Sequence, residues 1–409
     1  MTQTTPPKSL ADLRLPPGPH APWRFREFPI IAWWGPPGTA GVSDFQNYRD
    51  AGFTLYAANP DSGYDGAVEK ATRVGLKLLA YRTPQGFGLP AKATDFTSHN
   101  KALVGWLVRD EPSGDAAITE SITAVNALMR ADPTGRALFN LLPPDAQNQP
   151  LTGPVIDAAV RNGLGVLSYD SYVIHADGSD AADRHYRYLE QFRQASLRYG
   201  VPFWAFALTI RHFGYRRPSE SDLRWMQYTN LAYGAKGLWY FTYWGPIDWP
   251  NWDTAAIVNP KNGAKTDLYE HVKAVNQAVR AMGNTLLRLR SRGVVHTNPA
   301  QPNTPGQAVF VRDREWIAEL TASDGLVGFF EDERDRTPYA LVVNKRHGRD
   351  QSAASQAETI LLRFAPTVKR VRIVNFLGGK TGPLHLSPGG TAVLENVPGG
   401  SGVLLHAER

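Results

Sequence analysis

The chain has 409 residues, of which 42% are hydrophobic and 20% charged, a balance that excludes a disordered chain. No run approaches the ~20 apolar residues that a membrane-crossing helix needs, so no membrane partner is expected. The formal charge of +6 is spread along the sequence without a DNA- or RNA-binding motif, which reads as solubility or a mild preference for anionic substrates, and the absence of cysteine excludes disulfides, thiolate metal sites and a cysteine nucleophile.

Residues 1–28 are rich in proline, with Pro16-Pro17-Gly18-Pro19, and read as an extended lead-in. The first residues contain no apolar h-region, so no signal peptide is expected: the protein is either cytoplasmic, or secreted or periplasmic with a leader already removed. From Pro29 a strand–helix pattern repeats. Pro29-Ile30-Ile31-Ala32-Trp33-Trp34 is a predicted strand, Ser43-Asp44-Phe45-Gln46 a capping-box helix start, and Gly52 a left-handed helix end. Further strands are predicted at residues 53–58, 76–81, 102–108, 137–142, 165–170, 201–208 and 237–244, each preceded by a helical stretch or a glycine stop. The strands are continuously apolar, as in a parallel sheet covered by helices. Eight such units over roughly 250 residues fit a (β/α)8 barrel, here residues 29–295, better than an open doubly wound sheet, because no phosphate-binding glycine loop follows the first strand. Beyond about residue 305 short strands recur without helices, including 308–311, 316–320, 326–330 and 339–344. The pattern predicts a small antiparallel β-sandwich over residues 305–409.

One strand ends abruptly on chemistry. Trp106-Leu107-Val108-Arg109 runs into Asp110-Glu111-Pro112, and the proline both stops sheet pairing and disfavours helical geometry at Glu111. Two adjacent acids are thereby delivered to a sheet rim, where ligands of α/β proteins bind. Reading the other strand ends gives a mouth that also holds Trp34, Asn59, Arg82, Asn140, Asp170, Tyr172, Arg211, His212, Tyr243 and Trp244. That set suits a polyol: acids for proton transfer, amides and guanidinium for hydroxyls, and aromatic faces for sugar rings. Trp33 and Trp34 are adjacent and point to opposite sides, so only one faces the mouth. The histidines are dispersed, so neither a catalytic metal nor any other cofactor is expected.

The Asp110-Glu111-Pro112 strand end resembles the Asn-Glu-Pro strand end of the large retaining clan of (β/α)8-barrel glycoside hydrolases, with Asp110 where that clan has Asn. Tyr339 with the residues to 344, Thr381-Gly382 and Pro398-Gly399-Gly400 resemble the all-β domain that trails many glycosidase barrels. The resemblance implies a glycosidase acting on an oligo- or polysaccharide, with Glu111 as general acid/base. The clan's nucleophile lies at the end of strand seven, but Leu208-Thr209-Ile210-Arg211-His212 holds no acid. Asp170, ending strand six, is the preferred partner of Glu111, with Asp110 as a hydrogen-bonding neighbour. On the pattern of another barrel group, with acids on strands four and six, Asp110 would attack and Asp170 would be the acid/base. Asp170 reads equally as a loop cap, and Arg211 and His212 equally as surface charges. Strands four and six are separated by strand five, which predicts carboxyls about 6.5–9.5 Å apart and an inverted product. The rival reading is a carbohydrate-binding barrel without catalysis, favoured by the missing acid on strand seven.

Overall fold

The computed structural model of the protein describes residues 25–58, 64–81, 102–131, 136–142, 153–376 and 380–408. Eight parallel strands come first: β1 (Ile30–Ala32), β2 (Leu55–Ala58), β3 (Lys77–Tyr81), β4 (Leu103–Asp110), β5 (Ala137–Leu141), β6 (Leu167–Tyr169), β7 (Phe203–Leu208) and β8 (Gly237–Phe241). They pair in the order β1-β8-β7-β6-β5-β4-β3-β2. The N–H of Thr54, just before β2, donates to the Ile30 carbonyl of β1 at 2.9 Å, which closes the sheet into a (β/α)8 barrel. Among the described residues the helices between and after the strands are α1 (Val42–Asp50), α2 (Tyr64–Arg73), α3 (Gly114–Ala131), α4 (Gly153–Arg161), α5 (Ala182–Tyr199), α6 (Glu220–Ala232) and α7 (Asp267–Leu286). α1 starts two residues earlier than the capping-box reading: Gly41 is the cap, and its N–H donates to Asp44 Oδ2 at 2.9 Å. Gly52 has φ +88° and Gly200 φ +67°, the left-handed geometry that ends a helix at little cost in glycine.

Large rings fill the barrel. Side chains alternate along a strand, so Trp204 and Phe206 of β7 share an interior with Trp239 of β8. Phe206 stacks on Trp239 at 5.0 Å between centroids, Trp204 lies at 6.1 Å from Trp239, and Trp33 lies at 5.6 Å from it. Gly237, at the start of β8, has no Cβ to collide with the Trp204 ring. Phe25 meets Trp204 at 5.3 Å, plugging the end where the strands begin. Trp33 is therefore barrel filling, which leaves Trp34 for the mouth.

Two antiparallel sheets follow, with nine strands: β9 (Leu289–His296), β10 (Ile317–Thr321), β11 (Gly325–Asp332), β12 (Pro338–Asn344), β13 (Glu358–Phe364), β14 (Arg370–Phe376), β15 (Lys380–Leu384), β16 (Thr391–Val397) and β17 (Gly402–Glu408). One sheet runs β10-β13-β16 and the other β15-β14-β17-β12-β11-β9. Buried residues of both, among them Phe329, Val342, Ile360, Leu394 and Leu405, form one apolar cluster. Residues 308–311, expected as a strand, supply a single bridge between Val309 and His296. Leu289–His296, inside the expected barrel limit of residue 295, pairs instead with β11.

α6 joins the two cores. Its residues from Ser221 to Ala232 are all buried, because the barrel covers one side and the six-stranded sheet the other. Burial on all sides requires its polar groups to find partners. Gln227 Nε2 donates to the Trp239 carbonyl at 3.1 Å and Asn230 Nδ2 to the Phe206 carbonyl at 3.3 Å. Asp222, at the first turn, accepts from both Arg216 nitrogens and lies 2.9 Å from His347 Nδ1, while His347 stacks on Trp225 at 3.9 Å. Burial pushes the Asp222 carboxyl up, but the hydrogen bonds and charges of His347 and Arg216 outweigh it and hold the group well below the carboxylate range.

Candidate active site

The C-terminal ends of β4, β5 and β6 set three acids around one amide. On β4, Arg109 turns outward to Glu120 of α3 at 3.0 Å, so Asp110 turns into the barrel. Asn140 of β5 and Ser168 of β6 point the same way. Ser168 Oγ donates to Asn140 Oδ1 at 2.9 Å, which fixes the amide with its NH2 toward the acids. That NH2 donates to Asp170 Oδ1 at 2.7 Å and to Asp110 Oδ1 at 3.2 Å. The Glu111 N–H donates to the Asn140 carbonyl at 3.0 Å, and Glu111 has φ +41°, a left-handed conformation that is unusual for a side-chain-bearing residue. Such conformations persist where the surroundings hold them, and they cluster at functional sites. The Glu111 carboxyl is close enough to the buried Asp170 carboxyl to raise it through its charge and a hydrogen bond, and the Tyr172 phenol feels the Asp170 charge.

Three carboxyls so close cannot all ionise. Burial, then the charge of Glu111, pushes Asp110 up to about 7, against the opposing hydrogen bond from Asn140. Burial pushes Asp170 well above the carboxylate range, with Glu111 and then Asp110 adding to it. At neutral pH the cluster therefore retains at least one proton, as a general acid requires. The contact between Glu111 and Asp170 overturns the wide separation expected from strand spacing. The count of strands between them ignores barrel curvature and the length of the Glu111 side chain, which together close the gap.

Beside the acids stands an aromatic wall. Trp34 meets Phe241 at 6.0 Å, Trp249 at 5.5 Å and Trp252 at 5.8 Å, and Tyr172 meets Phe241 at 5.0 Å. His212 stacks on Trp252 at 4.5 Å, and burial pushes its imidazole below its usual pKa, so it serves the wall as a neutral ring. Trp249 is 51% exposed, leaving ring surface open to a ligand. Arg211 is engaged outside the wall, its Nε donating to Asp253 at 2.7 Å. Tyr243 is not at the mouth: it is buried against Tyr48 of α1 at 4.8 Å and Phe53 at 5.6 Å, because β8 ends at Phe241 and strand alternation no longer governs position 243. Trp244 lies with its ring edge against Gly263, on the α1 side of the loop, and its backbone N–H donates to the Trp34 carbonyl at 2.8 Å. Asn59 and Arg82 lie outside the described residues. Among the described residues no group of three or more His, Asp or Glu is arranged to hold a metal ion.

Ser168, which orients Asn140, is not marked out in the sequence as a site residue, although its spacing of two from Asp170 places both on one face. Phe241 is likewise unmarked, though it shares the inward face of β8 with Trp239.

A closed parallel barrel followed by antiparallel sheets is also the fold of solved glycoside hydrolases. The chain is similar to the beta-galactosidase from Bacillus circulans sp. alkalophilus, with a TM-score of 0.63 and 10% identity over 94% of this chain and 99% of that one. It is also similar to the beta-galactosidase from Rahnella sp. R3, with a TM-score of 0.50 and 12% identity over 68% of this chain and 60% of that one. A third, the beta-galactosidase from the psychrophilic Marinomonas ef1, aligns at a TM-score of 0.49 and 11% identity over 64% of this chain and 62% of that one. The chain thus spans less than two thirds of the Rahnella and Marinomonas proteins, and at these identities the likeness is one of fold. No protein-family model and no curated protein matches the sequence.

Proposed function

We propose that the protein is a glycoside hydrolase that cleaves an O-glycosidic bond in an oligo- or polysaccharide, with Glu111 as general acid and Asp170 as its partner. The observation that carries this reading is the convergence of Asp110, Glu111 and Asp170 on Asn140 at the barrel mouth, with a proton retained among them at neutral pH. Carboxyls in contact belong nearer the ~5–5.5 Å spacing of retaining enzymes than the wider spacing that admits a water. The proton that burial keeps on Asp170 at rest must first pass to Glu111 across their contact, which leaves Asp170 ionised for attack. Glu111 protonates the leaving oxygen as the bond from C1 breaks, and the Asp170 carboxylate attacks C1. Glu111, now a carboxylate, takes a proton from water, whose oxygen attacks C1 and releases Asp170. Asp110 remains a hydrogen-bonding neighbour that keeps the local charge low. The sugar rings lie on the wall formed by Trp34, Trp249 and Trp252.

Hydrolysis of a panel of aryl-glycosides and polysaccharides tests the proposal: turnover that disappears in both Glu111→Gln and Asp170→Asn supports it, and turnover that survives both refutes the assignment. The absence of an acid where β7 ends favours the second reading, a barrel that binds carbohydrate without cleaving it. Calorimetric binding of a panel sugar with no product after long incubation distinguishes that case.

A further inference from the structure

A cleft of about 940 Å³ opens between α5, the strand β9 and the segment leading to β10. α5 descends from the loop after β6 to Gly200, where β7 begins, and the cleft is lined by its second half. It therefore lies toward the strand starts, away from the acids at the strand ends. Its floor is apolar. Val294 and Phe329 are buried, Val295 and Phe310 pack partly buried on the second core, and Val311 is 50% exposed.

Its rim is cationic. Arg193 is committed to Glu190 at 2.6 Å. Arg198, Arg292 and Arg314 also line the cleft, are exposed, and form no ion pair among the described residues. Glu315 is the one acid lining the cleft that is not already paired. Solvated single arginines are ordinary; three facing a shared apolar floor from three separate segments are a different arrangement. Guanidinium groups hold carboxylates through paired hydrogen bonds, and an apolar floor holds a hydrocarbon body. The floor contains no tryptophan and mixes valines with the rings of Phe310, Phe329 and Tyr199, an apolar surface that suits a hydrocarbon body. The volume lies within the range of small-molecule sites.

We propose that this cleft is a second binding site, independent of the glycosidase reading, for an amphipathic organic anion: a carboxylate head on Arg198, Arg292 and Arg314, with an alkyl body along Val294, Phe310 and Val311. The test is isothermal titration of the full chain with decanoate, 1-decanol and digalacturonate at low ionic strength, repeated on an Arg292→Ala/Arg314→Ala variant whose far-ultraviolet spectrum and melting temperature match the parent. Decanoate binds at one site, at least about tenfold more weakly in the variant, and progressively less as salt is added, while decanol gains nothing from the arginines. Decanoate binding that is absent at millimolar concentration, or equal in parent and variant, overturns the proposal. So does digalacturonate binding that is lost in the variant while decanoate does not bind, which would make the cleft a sugar-acid site. A third variant, Val311→Asp, leaves the arginines in place and weakens decanoate again through the floor; an unchanged affinity there removes the hydrocarbon half of the proposal.

Discussion

Asp110→Asn isolates the electrostatic cost of the carboxyl cluster. The asparagine has nearly the same shape, and its Oδ1 still accepts from Asn140, now held 3.2 Å away. What it removes is a charge that the folded site resists. Asp110 titrates near 7 in the folded protein against 3.8 for the free group, so between about pH 4 and 7 the folded state binds a proton that the unfolded state has lost. Stability therefore falls as pH rises through that window and levels off above 7. The span is worth about 4 kcal/mol at ~1.36 kcal/mol per pH unit. Urea unfolding at pH 4.5, 6 and 8.5 measures it. The wild-type stability drops across the series, and that of Asp110→Asn drops less, by about 3 kcal/mol at the alkaline end, since the series starts at pH 4.5. Identical pH dependence in the two proteins would mean that Asp110 ionises freely in the folded state, and the argument for a retained proton would lose its main support.

Glu111→Gln keeps the rim geometry and removes the proton, so turnover of a substrate with a poor leaving group falls ~10²–10⁴-fold with binding intact by calorimetry. Proton NMR of the first product shows the retained anomer; inversion would reject Asp170 as the attacking group. Asp222→Ala leaves Arg216 and His347 facing a buried void and lowers stability by about 3–5 kcal/mol in chemical unfolding, whereas a loss under ~1 kcal/mol would show that the interface needs no anion there.

The barrel was legible because its strands are continuously apolar and its helices stop at glycines such as Gly52 and Gly200, signals that depend only on local chain chemistry. The acids were legible for the same reason: Pro112 ends β4 wherever the strand sits, and Asp170 follows an apolar run. What the linear order conceals is distance across the barrel. Glu111 and Asp170 are in contact although strand counting separates them, since closure curves the sheet and a glutamate spans the remainder. Tyr243 fails for a related reason. Alternation assigns faces only while the backbone stays extended, and β8 stops two residues before it. Arg211 was read without its partner because Asp253 arrives from a loop forty-two residues on.

α6 has consequences for how this chain can be cut and recombined. A helix wetted on one side could keep its place when a neighbour is removed, since its outer face already tolerates water. This one has no outer face, and Trp225, Met226 and Leu231 sit in the same buried segment as Asp222 and Asn230. A chain stopped near residue 286 would present that segment to solvent along the whole seam left by β11 and β12, with a charge pair opened at one end. The antiparallel sheets are thus part of the barrel's own wall, and a gene fusion or transplant that takes the barrel must take them too.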